Sequence, residues 1–165
     1  ITSEIARQDV QRLRAEVDAI LVGGETVRKD NPRLTLRDDF AIGREQPLRV
    51  IVTKSGRIPK KSKVLTDEFK ERTRVFHVEQ LESVLDELGE EGVTSVILEC
   101  GGRLMAHAFE AELVDEVTFY VAPLIGGGGR RAVEGKGFRC KLIEPVVDQV
   151  GPDLRITAPI EFEEH

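Results

Sequence analysis

The chain has no tryptophan, one tyrosine, one methionine and two cysteines among its 165 residues. Cys100 and Cys140 are too few for a disulfide framework and lack the paired C-x-x-C spacing of a zinc site, so no metal is expected and a reducing cytoplasm is the expected compartment. Long apolar runs are missing as well. None exceeds that from Ala19 to Val22, far short of the roughly 20 residues that a membrane-spanning helix needs, and no basic flank plus apolar stretch opens the chain as an export signal. Positive charge is not in excess: 24 basic residues face 30 acidic ones, for a net charge of −6. That argues against nucleic acid or an anionic membrane as the main partner and leaves local basic clusters to grip small anions. Asn31 is the only asparagine while 33% of residues are charged, a composition expected where thermolabile side chains are avoided.

What is present is globular. Hydrophobic residues make up 40%, and the length suits one domain, expected to cover residues 1–165 without repeat, low-complexity tract or linker. The chain opens at Ile1 and runs through Thr2 and Ser3 straight into a helical pattern, so further residues are expected upstream. Val10, Leu13 and Val17 recur at helical spacing among polar neighbours. Ala19 to Val22 reads as a buried strand stopped by Gly23-Gly24, Val50 to Val52 repeats the pattern, and Arg74 to Val78 is a third strand. Leu81, Val84, Leu85 and Leu88 mark a helix stopped by Gly89 and Gly92. Val96 to Leu98 then forms a fourth strand, followed by a helix through Leu104, Ala108, Phe109 and Leu113. Strands that are apolar throughout and alternate with helices imply a mostly parallel α/β sheet covered on both faces. After Val117 the period changes to two, and no helical period returns between Lys141 and Ile160. The expectation is a mixed sheet with a closing antiparallel hairpin near Gly151-Pro152.

Two junctions could carry chemistry. Val96 to Leu104 runs from a buried strand through Glu99, Cys100, Gly101 and Gly102 into a helix, and a helix start with glycines offers unpaired N–H groups to an anion. It is neither a G-x-G-x-x-G nor a Walker loop, and reads equally as a simple tight turn. Glu99 sits at the carboxyl end of the strand, where open α/β sheets place their ligands. The second junction, Gly23 to Arg37, combines turn formers with four basic side chains and on composition alone reads as a solvated loop. His77, placed in a strand, and His107, placed on a helix, have no ligand spacing and read as structural. Cys100 reads as a small buried residue. Gly126 to Gly129 followed by Arg130-Arg131 could bind phosphate, although four glycines more often form a mobile loop, and Asp115-Glu116 reads as a helix-to-strand boundary rather than an acid/base pair.

The stretch from Arg12 to Arg37 contains L-R-A-x-x-D-A-I-L-V-G-x-x-T-V-x-x-D-N-P-x-L-T-x-R, which resembles the signature of the pyrimidine reductases of riboflavin biosynthesis. A second block, Ile97 to Gly128, resembles their E-G-G-G-x-L…L-V-D-E-V…Y-V-A-P-x-I-x-G-G pattern, and Arg57-Ile58-Pro59 falls between them in the right order. The resemblance implies a dihydrofolate-reductase-like α/β fold, a homodimer, and hydride transfer from NADPH to the ribosyl group of 2,5-diamino-6-ribosylamino-4(3H)-pyrimidinone 5′-phosphate. It further implies Thr26, Asp30, Gly101, Gly102, Arg103 and Leu104 at the cofactor, Arg14, Leu34 and Arg37 at the substrate with the two arginines at its phosphate, and Glu99 as the catalytic acidic residue near the substrate's pyrimidine or reacting end. Arg28, Lys29, Lys54 and Arg57 are candidates for a cofactor 2′-phosphate. Three departures stand out. Thr53-Lys54 replaces the usual Asp-Ser after the second strand, Cys100 replaces the usual first glycine, and the family's first strand, with its S-x-D-G-K-type lysine, would precede Ile1. Two other readings are the reductase domain of a bifunctional enzyme acting on 5-amino-6-ribosylaminouracil 5′-phosphate, and a non-catalytic nucleotide-binding regulator.

Overall fold

The computed structural model describes residues 2–77, 80–126, 129, 131–135 and 137–163; Val78, Gly127, Gly128 and Arg130, named above, lie outside them. Four strands form a parallel sheet in the order β3-β2-β1-β4: β1 (Ala19–Gly23), β2 (Leu48–Val52), β3 (Thr73–Phe76) and β4 (Val96–Leu98). The central strand shows why its sequence is apolar at every step. Successive side chains of a strand point to opposite faces. Ala19 and Leu21 pack with Val50 against helices α4 (Leu81–Glu90) and α5 (Gly102–Glu110), through Leu81, Val84, Leu88 and Ala108. Ile20 and Val22 pack on the other face with Val27, Leu34, Ile51 and Val64. All four β1 side chains are 0% exposed, and each of the three larger ones contributes roughly 1.5–3 kcal/mol by leaving water. The end of α4 also follows from its residues. Gly92 takes φ +88° while Val93 N–H donates to Leu88 O and Gly92 N–H to Gly89 O, the paired bonds of a Schellman stop.

The remaining strands, β5 (Glu116–Val121), β6 (Cys140–Leu142), β7 (Val146–Val150) and β8 (Asp153–Phe162), pair antiparallel with β8 at the centre. The β7–β8 hairpin turns at Gly151-Pro152, where Gly151 has φ +63°. Helix α1 (Glu4–Arg14) starts at Ser3, whose hydroxyl accepts Ala6 N–H at 3.2 Å. It lies on this second sheet. Tyr120 donates to Asp9 at 2.6 Å, and Arg155 reaches both Asp9 and Asp148 at 2.9 and 2.6 Å. Phe109 of α5 stacks on Phe138 and meets Phe162 edge-on, with ring centroids 4.5 and 6.5 Å away, tying the C-terminal segment to the first half.

The expected mostly parallel body and closing hairpin are both present. Among the described residues, however, the strands divide into two four-stranded sheets rather than one mixed sheet, because β4 and β5 share no hydrogen-bonded partner. Gly24–Asp30 is a seven-residue helix, α2, rather than a loop: Val27 is buried in the core as its anchor and Asn31, at φ +43°, closes it. The short helix α3 (Lys63–Thr66) is tied to that end, since Lys63 N–H donates to Asn31 Oδ1 at 2.9 Å. His77 follows β3 instead of lying within it.

Candidate functional site

A cleft of about 1010 Å³ opens at the carboxyl ends of β1, β2 and β4, between the first turns of α2 and α5. Its depth depends on a glycine. A side chain at Gly24 would stand 2.8 Å from Thr53 Cβ and 2.9 Å from Thr53 Oγ1, so α2 approaches the end of β2 as closely as it does only because Gly24 has none. Thr26, Asp30, Gly101, Gly102, Arg103 and Leu104, read from sequence as cofactor contacts, all line this cleft. The two glycines at the start of α5 differ in what surrounds them. No described residue lies within 4 Å of a side chain built at Gly101, whereas one at Gly102 would meet Arg131 O at 2.8 Å and Glu134 Cγ at 3.1 Å. Gly101 therefore leaves the helix start open, and Gly102 lets the 131–134 segment cover it. Among the described residues no side chain caps α5; Leu104 and Met105 N–H both donate to Gly101 O at 3.1 Å, which leaves the N–H groups of Gly102 and Arg103 at the cleft wall without such a bond. Cys100 lines the same wall, and burial pushes its thiol up to about 12, which keeps it protonated and unreactive at neutral pH.

Glu99 lies just beyond β4, its N–H continuing the ladder to Leu21 O at 3.0 Å. Its carboxylate is gripped by Arg14 from the end of α1: Nε donates to Oε1 and Nη2 to Oε2, each at 2.6 Å. This is a planar two-bond fork between side chains only 11% and 22% exposed. Arg14 Nη1 also donates to Thr35 O at 3.4 Å, and Gln11, one turn earlier on α1, accepts Arg37 N–H at 3.1 Å. The segment after α2 is thus laid along α1.

Leu34 is 2% exposed, with its side chain in the second core cluster and its backbone at φ +55°. That is a left-handed conformation costly for leucine. Arg37 is exposed and makes no side-chain hydrogen bond or ion pair among the described residues. With Arg33 and Lys63 it borders a second hollow of about 490 Å³ that shares Asp30 with the main cleft. Beneath it Arg49, 1% exposed, donates to Asp67 at 2.7 and 2.9 Å, to Val64 O at 2.9 Å and to Arg33 O at 3.1 Å, so a buried cation holds the loop from below.

The structure thus separates the sequence candidates into three neighbouring groups: the cleft set, the Arg14–Glu99 pair, and Arg37 at the second hollow. Sequence reasoning missed Ser55, Leu81, Arg131, Ala132 and Glu134 as cleft residues and read His107 as structural, although it lines the cleft. His107 follows Leu104 by one helical step, a signal available in the sequence; in the 131–134 segment only Arg131 carried one, its place after the glycine run. Among the described residues no group of His, Cys, Asp or Glu could hold a metal ion.

Comparison with known proteins follows the same lines. A family model described as RibD C-terminal domain matches residues 1–156. The chain is 40% identical over 164 residues to the riboflavin biosynthesis protein RibD of Mycobacterium tuberculosis, covering 95% of this chain and 47% of that protein. It is 32% identical over 180 residues to the 2,5-diamino-6-ribosylamino-4(3H)-pyrimidinone 5′-phosphate reductase of Archaeoglobus fulgidus, covering 90% and 82%. Acinetobacter baumannii RibD superposes with a TM-score of 0.83 at 29% identity, over 98% of this chain and 52% of that one. The chain spans about half the length of the RibD relatives it matches.

Proposed function

The chain belongs to the RibD C-terminal domain family, and from that premise we propose that residues 1–165 act as one NADPH-dependent reductase unit of riboflavin biosynthesis, reducing the ribosyl group of a ribosylaminopyrimidine 5′-phosphate to the ribityl form. The observation that carries this reading is the concurrence of an open dinucleotide-sized cleft with a half-buried carboxylate–guanidinium pair beside it. The nicotinamide supplies the hydride when bound. The chain's own residues have to orient cofactor and sugar and hold two anions. The open start of α5, from Gly101 to Leu104, suits the cofactor diphosphate, and Thr26 and Asp30 form the facing wall. Glu99, fixed by Arg14, orients the reacting end of the substrate. Arg37 has its guanidinium free for the substrate phosphate, whereas Arg14 already uses two donors on Glu99, so it holds the carboxylate first and the substrate second. Leu34 contributes through its backbone, its side chain being in the core.

Two substrates compete. The Archaeoglobus relative's name specifies the diamino pyrimidinone, while higher identity to a RibD favours the deaminated uracil. Following NADPH absorbance with both phosphates in parallel decides between them, and turnover of neither overturns the reductase reading in favour of a nucleotide-binding regulator. A homodimer is part of the same reading. Phe119, Val121, Val147 and Leu154 are between 38% and 58% exposed and share one face of the antiparallel sheet by their register, an apolar patch that suits a second copy. No helix among the described residues is long and apolar enough to cross a membrane, and a cytoplasmic location is part of the proposal.

A further inference from the structure

Leu34, Thr35 and Leu36 are buried although they belong to no strand or helix. A buried backbone without a ladder has to find other partners for its N–H and C=O groups, and here side chains supply them. Arg49 Nη1 donates to Arg33 O at 3.1 Å and Arg14 Nη1 to Thr35 O at 3.4 Å. Gln46, half-buried ahead of β2, takes both polar groups of Leu36: its Oε1 accepts Leu36 N–H at 2.7 Å and its Nε2 donates to Leu36 O at 3.4 Å. Gln11 Oε1 accepts the next N–H, that of Arg37, at 3.1 Å.

A carboxamide carries the same donor and acceptor as a peptide group, so Gln46 stands in for a neighbouring strand at one residue. Its own place is fixed. Pro47, which is buried, confines the backbone of Gln46 to extended conformations, and Leu48 N–H ties the segment to Asp18 O at 2.8 Å. Arg14 is also committed to Glu99 and Arg49 to Asp67, whereas the Gln46 side chain bonds only to Leu36 among the described residues. The left-handed backbone of Leu34, φ +55°, is the kind of strain that persists only where the surroundings over-determine it. Immediately beyond these ties the Arg37 side chain stands exposed.

We infer that Gln46, with Gln11, is a positioning residue for the substrate: by holding the backbone at Leu36 and Arg37 it aims the Arg37 guanidinium, so that the substrate phosphate meets a preformed arm. This assignment rests on the reductase reading and on Arg37 at the substrate phosphate, and adds which residues set that arginine in place. Binding that has to order a loop loses affinity by the freedom removed, whereas a loop already held keeps it. The same loop held loosely would still present a cation, with a weaker grip.

Steady-state kinetics with the ribosylaminopyrimidine phosphate and with its dephosphorylated form, an NADPH titration and a thermal melt are run on the protein and its variants. Gln46→Met should raise KM for the phosphorylated substrate about tenfold, as when one buried group loses its partner, with kcat and NADPH affinity changing by less than about threefold. KM for the dephosphorylated form should move little. Gln46→Glu, which keeps an acceptor for Leu36 N–H, should recover most of the loss. Gln11→Leu, at a half-buried helix position that accepts leucine, should raise the same KM about threefold, and decides the matter even where Gln46→Met fails to fold. In an Arg37→Ala background, Gln46→Met should add less than about twofold, because the arginine that it aims is gone. A lowered Tm with KM unchanged makes Gln46 structural only and overturns the inference, as does an equal rise for both substrates or full additivity with Arg37→Ala. Retention of the preference for phosphate in Arg37→Ala overturns it at its premise and leaves the reductase reading standing, whereas turnover of neither substrate by the unaltered protein overturns both.

Discussion

The two halves of the molecule are held by different forces. In the parallel half Ala19 to Val22 of β1 are completely buried, and both core clusters consist of its strands, the helices that cover them and Leu34. In the antiparallel half the buried apolar residues among those described are Val117 and Ala158 of the sheet and Ala6 of α1, and α1 is fastened to the sheet by Asp9, Tyr120, Arg155 and Asp148. Burial in Asp9 favours its neutral form, yet the hydrogen bonds from Tyr120, Arg12 and Arg155 outweigh it and hold the carboxyl below its ordinary range. The hydroxyl of Tyr120 moves the other way, pushed up by burial and by the Asp9 carboxylate that it serves. A nonpolar core tolerates small changes in angle. A network of charged hydrogen bonds does not, because its energy depends on direction. The candidate site lies where the two meet: most of the cleft is built from the parallel half, the 131–134 segment covers the start of α5, and the Arg14–Glu99 fork joins the site to the helix carried by the other half.

That contrast can be broken from either side. The largest effect is expected at its exception, the buried ion pair inside the parallel half. Arg49→Ala should cost about 3–5 kcal/mol in chemical denaturation, because Asp67 is left charged without its partner. Arg49→Met combined with Asp67→Leu should recover most of that loss, and failure to recover would mean that the bonds to Arg33 O and Val64 O carry the site. In the antiparallel half, Asp9→Ala should destabilise by about 1.5–3 kcal/mol, the worth of charged hydrogen bonds. Tyr120→Phe should lose less, and equal losses would show that the Tyr120 bond rather than the Arg155 pair fastens α1.

At the junction, Glu99→Gln should lower turnover about tenfold or more, near 1.4 kcal/mol of transition-state stabilisation, with NADPH affinity little changed. Survival of turnover within about twofold would make Glu99 structural only. Arg14→Lys should lower kcat in the same direction, because lysine cannot reproduce the fork.

The smallest effect concerns the amino ends of β1 and β4. There Asp18 Oδ2 accepts from the N–H and hydroxyl of Thr94 and of Ser95 at 2.8–3.0 Å, bonds that lower its carboxyl to about 2. An unfolded aspartate titrates near ~3.9. The depressed group therefore adds stability that is fully present above about pH 4 and disappears as pH falls through about 2. The gap in Tm between the protein and Asp18→Asn should close over that window, and a constant gap would exclude this carboxylate as its source.

Much of this was legible in the chain. The strands β1, β2 and β4, the helices α4 and α5 and the closing hairpin announce themselves because burial imposes a period of two, of 3.6, or an unbroken apolar run on neighbouring residues, and glycines mark the stops. The cleft residues Thr26, Asp30 and Gly101 to Leu104 were named only through the family resemblance, since on its own Gly23 to Arg37 reads as a solvated loop and Gly101-Gly102 equally as a tight turn. Helix α2 was hidden because a single apolar anchor, Val27, leaves no period to detect. The division of the strands into two sheets was equally hidden, since pairing is not written in any one strand. Arg14 and Glu99 are 85 residues apart, so nothing along the chain pairs them. What the sequence determined by itself was which segments are strands and helices and which turns can receive an anion, because those properties depend on nearest neighbours along the chain. What only the tertiary structure decided was which charges meet, that Arg14 is occupied by Glu99 and that Arg49 is held by Asp67, because an ion pair depends on distance in space and the crossovers of the fold set that distance.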